Sequence, residues 1–171
     1  MKKIFITALI AAWLLTPFLF GGCASPEGFA IYLTRDDTPV SMMPVLSHVD
    51  LAEKPIISMD DIKSYTGDTH VIELTVEAYQ RVMELQVPTS GRAFVVCVNK
   101  TPIYWGAFWT PMSSQSFDGI IIMVPPFPPG ELPVNSILIG LGYPGDGFYQ
   151  GEDPRSNPEI IASLEQAGKL K

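Results

Sequence analysis

The sequence predicts an α+β domain: a mostly antiparallel sheet with a few short helices. Three observations carry that expectation. Short apolar runs recur at 28–34, 70–74, 92–98, 103–109, 117–124 and 136–141, bounded by Gly, Pro, Asn or Asp, as strands are. Asn99 and Lys100 stand between two of these runs, where a two-residue hairpin turn fits. Helical signals are confined to short stretches after Ser58, Thr75 and Asn157.

In chain order, 28–34 reads as a strand that ends in the polar turn Arg35-Asp36-Asp37. Residues 38–55 lack a clean period and are punctuated by Pro39, Pro44 and Pro55, so mostly loop is expected, with an extended piece near Val49. Ser58 can cap a helix start, with Asp60 and Asp61 in the electropositive first turn; one or two turns are expected before Gly67. After the strand at 70–74, Thr75 caps a helix. Its apolar stripe is Val76, Tyr79, Val82 and Met83, and it stops before Pro88. The run at 92–98 is apolar throughout, which predicts a central strand covered on both faces. Five prolines between 125 and 133 exclude helix and central strand there and mark the one internal seam. A strand at 136–141 and a loop rich in Gly and Pro at 142–156 follow. Asn157 then caps a helix with Pro158 at its first position, inward-facing Ile160, Ile161 and Leu164, and Gly168 at its close.

The first 25 residues have a separate meaning. Lys2 and Lys3 precede an almost wholly apolar stretch, 4–20, then Gly21, Gly22 and Cys23. Charge, apolar core and small residues in that order form a secretory signal. The segment Leu19-Phe20-Gly21-Gly22-Cys23 resembles a lipobox, with Phe20 where bacterial lipoproteins usually carry leucine. The resemblance implies a signal peptide at 1–22, lipidation at Cys23, and a single extracytoplasmic domain at 23–171 held at the cell membrane. Multiple acyl chains, as this class carries, are what stable anchoring needs. The alternatives are an uncleaved apolar anchor, since 4–22 is long enough to span a bilayer, and a plain cleaved signal.

Cleavage before Cys23 removes Lys2 and Lys3 and takes the formal charge from −7 to −9. That balance argues against nucleic acid and against electrostatic adhesion to anionic lipid. Of the two cysteines, lipidation of Cys23 leaves Cys97 unpaired inside an apolar run, which reads as a small buried hydrophobe.

Residues 73–79 (ELTVEAY), 91–98 (GRAFVVCV) and 102–107 (PIYWGA) resemble a family of uncharacterised bacterial lipoproteins. More distantly, 56–124 is similar to the head of the first extracytoplasmic domain of the export-translocase subunit SecD. The shared order is strand, "LT-E" helix start, glycine, apolar strand, tight turn, strand ending in small residues. SecD usually carries Asp-Gly where Asn99 and Lys100 stand. The resemblance implies a SecD-head-like core over 56–124, a Pro-rich connection at 125–133 and a C-terminal strand and helix at 134–171. It also implies a surface that touches polypeptide.

No catalytic or metal signature stands out, and no cofactor is expected. Gly140-Leu141-Gly142-Tyr143-Pro144-Gly145 matches G-x-G-x-x-G, but Pro144, Gly145 and Gly147 prevent the helix a dinucleotide site requires, so it reads as a turn. Asp146, Glu152 and Asp153 share a loop without EF-hand spacing, and His48 and His70 are too few for zinc. The aromatic stretch 104–109 is the most unusual feature. On a strand, Tyr104 and Phe108 share one face, Trp105 and Trp109 the other. One face is core. The second is either covered by the C-terminal segment or forms a contact patch made of Trp105 and Trp109, flanked by Phe117 and Ile121.

The expectation is therefore a lipid-anchored binding module, not an enzyme, whose partner is a polypeptide or another envelope protein. A small-ligand-binding lipoprotein is the alternative, and an extracytoplasmic enzyme comes after it. Cys23→Ser should abolish labelling by a radioactive fatty acid and move the protein to the aqueous phase on detergent partitioning or block its processing. Unchanged labelling of the variant would remove Cys23 as the lipidation site.

Overall fold

The computed structural model describes residues 27–171. The signal segment 1–22 and the lipidation site Cys23 lie outside them. Among the described residues the chain is α+β, with a seven-stranded sheet, two α-helices and short 3-10 turns. The strands are β1 (Phe29–Leu33), β2 (Ile62–Thr66), β3 (Val71–Leu74), β4 (Arg92–Val98), β5 (Thr101–Trp109), β6 (Phe117–Met123) and β7 (Ser136–Tyr143). The helices are α1 (Val76–Met83) and α2 (Pro158–Gln166). Across the sheet the order is β1-β4-β5-β6-β7-β3-β2, and every neighbouring pair is antiparallel except β5 with β6.

β4 is buried on both faces, as its composition predicts. Phe94 and Val96 belong to one core cluster, Val95 and Cys97 to another. Asn99 and Lys100 turn the chain into β5 with φ of 51° and 64°, the left-handed conformation that a tight hairpin requires. The Asn99 side chain accepts a hydrogen bond from the Gly28 amide at 2.9 Å, which fastens this turn to the start of β1.

The sheet is strongly curled. In a flat sheet of this order, β1 and β2 would stand about 29 Å apart. Instead the rings of Phe29 on β1 and Tyr65 on β2 are 6.2 Å apart. The concave face encloses the main core, with Phe29, Ile31, Phe108, Ile122 and Ile139 all fully buried. α1 contributes Ala78 and Val82, and α2 contributes Ile160 and Leu164. Both helices start as their caps predict: Thr75 accepts from the Ala78 amide and Asn157 from the Glu159 amide.

Several local expectations change. Ser58 caps a single turn, within the one or two expected, paired with the Asp61 carboxylate at 2.7 Å, but a strand, β2, then occupies Ile62–Thr66. Ile62 and Tyr65 are buried there, and strand pairing with β3 outweighs the helix signal. Val76 is 45% exposed instead of lying on the buried stripe of α1. It sits about 200° around the helix from Ala78, so the two cannot face the core together. β7 runs two residues beyond the expected end, to Tyr143. The Pro-rich segment is a connection within one sheet. It links β6 to β7, adjacent strands of one sheet, and β7 alone joins β6 to the β2–β3 pair.

Both outer edges of the sheet are engaged. Beside β1, Ile31 donates to Ile57 and accepts from Ile56, and Leu33 accepts from Ala52. Beside β2, Tyr65 donates to Lys169 at 2.7 Å and accepts from Lys171 at 2.8 Å.

Cys97 is fully buried. Burial, with the charge of Glu27 adding to it, pushes its thiol up to about 12. In the Cys23→Ser variant Cys97 is the only thiol. It should react slowly with a bulky maleimide in the native protein and rapidly once urea unfolds it. Fast native labelling would contradict a two-sided burial of β4.

Candidate functional site

The aromatic strand β5 divides its side chains as its alternation predicts, but both faces are packed. Tyr104 and Phe108 enter the concave core. On the convex face Trp109 joins Ala107 and Ile121 in a separate cluster. The Trp109 ring stacks on Phe117 at 5.1 Å with 13° between the planes, and meets Tyr143 at 5.9 Å. It also packs onto Gly91, where φ is 79° and an added Cβ would lie 2.4 Å from the ring.

The connection 110–116, which carries the chain back to start β6 parallel to β5, accompanies this packing. Its buried Ser113 hydroxyl donates to the Thr89 carbonyl at 2.6 Å, and its carbonyl accepts from the Tyr143 hydroxyl at 3.1 Å. Trp105 packs half-buried against the convex cluster of β1 and β4, as do Met43, Leu46 and Leu51 of the loop 38–51, and lies 6.0 Å from Phe117.

The structure thus brings Trp105, Trp109, Phe117 and Ile121 to one face, but it corrects their exposure. Trp109 is 2% exposed and Ile121 7%, so neither offers an open side chain. Residues 38–51 and the connection 110–116 cover this face together with Tyr143, the contribution of the C-terminal segment 134–171. β5 is also an interior strand, paired with β4 and β6, so it has no edge to offer an incoming strand.

Where that covering stops, a groove begins. Ile121 forms part of its floor, with Met123 beside it on β6 and Leu138 and Gly140 on β7. Ile121 and Gly140 are register partners, and a Cβ at Gly140 would stand 3.4 Å from the Ile121 side chain. The absence of a side chain at Gly140 therefore opens the floor. Phe127 and Pro128, from the Pro-rich connection, wall one end; Tyr143 and Pro144 wall the other. The volume is about 530 Å³. A narrower cleft of about 70 Å³ continues beneath the Pro-rich connection toward Glu131. Phe127 is 62% exposed and Leu138 40%.

Sequence reasoning placed Ile121 near a surface but missed Met123, Phe127, Leu138 and Gly140. A signal was present. In β7, Ile137, Ile139 and Leu141 pack with the core, while Leu138 and Gly140 alternate with them. A glycine beside an exposed leucine on such a row marks a depression.

A polar cluster lies at the concave side of the same strands. The Tyr65 hydroxyl and His70 Nδ1 are 2.9 Å apart and buried. Burial, and next the Arg155 charge, lower the His70 pKa, which favours the neutral ring. Among the described residues the buried Tyr104 hydroxyl finds no hydrogen-bond partner. Arg155 donates to the Ile139 carbonyl at 2.7 Å and forks onto both oxygens of Asp153, at 2.9 and 2.7 Å. Those bonds hold Asp153 below the usual carboxylate range. They also give the acidic loop an internal cation as its partner. Among the described residues no three His, Cys, Asp or Glu side chains gather as metal ligands would.

If the convex aromatic cluster is core, Trp109→Ala should cost about 3–5 kcal/mol in urea unfolding. Trp105→Ala, at a half-buried position, should cost clearly less. Equal small losses would show that the face is not packed.

No family model matches the chain, and no curated protein and no solved structure matches it significantly.

Proposed function

We propose that this chain is an extracytoplasmic lipoprotein, held at the membrane by lipid on Cys23, whose domain is a binding module for polypeptide. The observation that carries the binding role is the apolar groove over β6 and β7. Loops cover the convex face over β1, β4 and β5, and the groove is where large apolar side chains, Phe127 and Leu138, meet solvent together. Strand addition is not the mode, because Ile57, Ala52 and the C-terminal residues already engage the sheet edges. Affinity comes from side-chain burial in the groove. The anchoring role rests on the order of charge, apolar run, small residues and cysteine at the N-terminus. Among the described residues no helix is long and apolar enough to cross a membrane.

A small apolar ligand is the second reading, favoured by a groove volume within the range of about 300–1,000 Å³ common for such sites. The open floor supports a longer occupant.

The test uses the full chain in phosphatidylcholine nanodiscs and a reduced, carboxymethylated, permanently unfolded protein as probe. Gly140→Leu should fill the groove, and Leu138→Asp should charge its floor. Each should weaken binding about tenfold or more, a loss of about 1.4 kcal/mol, with thermal stability little changed. Binding unchanged in both variants would overturn the polypeptide reading. Binding confined to small apolar dyes, lost in the same variants, would favour the second.

A further inference from the structure

We infer that the groove takes a proline-containing apolar segment in the polyproline II conformation, flanked by basic residues. This rests on the polypeptide reading above and narrows it to a ligand class.

The backbone of the groove floor decides the conformation. β6 pairs with β5 and β7, and β7 pairs with β6 along the groove and with β3 over Ser136–Leu138, so the floor is a sheet face that presents side chains, not backbone, to a ligand. An extended ligand lying on it finds no main-chain partners there. A β-conformation would leave its amides and carbonyls facing side chains on one flank. Polyproline II has no internal hydrogen bonds, keeps its backbone solvated, and loses little entropy on docking. Its recurring receptors are grooves bounded by aromatic rings. Here Phe127 with Pro128 bounds one end and Tyr143 with Pro144 the other.

Charge decides the flanks. β7 runs from the Pro-rich connection toward the loop 144–156, so Glu131 stands beyond one end of the groove, in the adjoining cleft, and Asp146 lines the other end. Both are exposed. The cation that lines the groove, Arg155, spends its guanidinium on Asp153 and the Ile139 carbonyl. Its charge is matched within the loop, and the two ends remain negative. A ligand with Lys or Arg on each side of an apolar core complements them, and one with acidic flanks is repelled.

The experiment compares three fluorescein-labelled peptides on the full chain in phosphatidylcholine nanodiscs, by anisotropy. One has a Pro-Leu-rich core flanked by lysines. The second has the same core flanked by glutamates, and the third keeps the lysines but replaces proline with alanine. The lysine-flanked proline peptide should bind about tenfold or more tighter than the glutamate one, with a gap that narrows as salt rises. In the Glu131→Gln, Asp146→Asn double variant that gap should collapse. The alanine peptide should bind more weakly in both proteins.

Equal binding of lysine- and glutamate-flanked peptides, equal binding of proline and alanine peptides, or no peptide binding at all would overturn the inference. If the unfolded protein still depends on Leu138 and Gly140 in any of those cases, the broader reading stands and this one alone fails. If Leu138→Asp and Gly140→Leu leave all binding intact, the broader reading fails with it.

Discussion

β4 presents apolar side chains to both faces of the sheet, and the rest of the fold is arranged to cover them. Phe94 and Val96 require a concave core; Val95 and Cys97 require a convex one. Two short helices are enough for the concave side once the sheet has curled and brought Phe29 to Tyr65. Nothing comparable is left for the convex side, which is closed by the loop 38–51 and by the aromatic cluster around Trp109. Loops cover less area than helices. The groove over β6 and β7 is where that supply of cover ends.

Much of the fold was legible because it is set by local chemistry. The left-handed turn at Asn99 and Lys100, the caps at Thr75 and Asn157, and the two-sided burial of β4 each follow from a few adjacent residues. β2 was not legible. Its five residues follow a sound helix cap at Ser58, and only pairing with β3 makes them a strand. The insertion of β7 between β6 and β3 is likewise a long-range fact that no local pattern encodes.

The site was half legible for a related reason. Alternation told which side chains share a face of β5, and it brought Trp105, Trp109, Phe117 and Ile121 together correctly. It did not tell which face is covered, because the cover comes from Val40 and Tyr143 as well as from neighbouring strands. Phe127 escaped notice because a phenylalanine between prolines reads as connection, and its role depends on where β7 passes beneath it. Arg155 is a comparable case. In sequence it is one residue in a loop, but in space it reaches from the groove to the backbone of Ile139, behind the buried pair of Tyr65 and His70.

The pairing of Lys169 and Lys171 with Tyr65, and of Ile56 and Ala52 with β1, has a consequence for crowding. An exposed strand edge is a template on which identical chains can polymerise. This sheet ends in lysines on one side and in a loop carrying Glu53, Lys54 and Pro55 on the other. Fibre-like association at this edge would first have to displace residues 169–171 from β2.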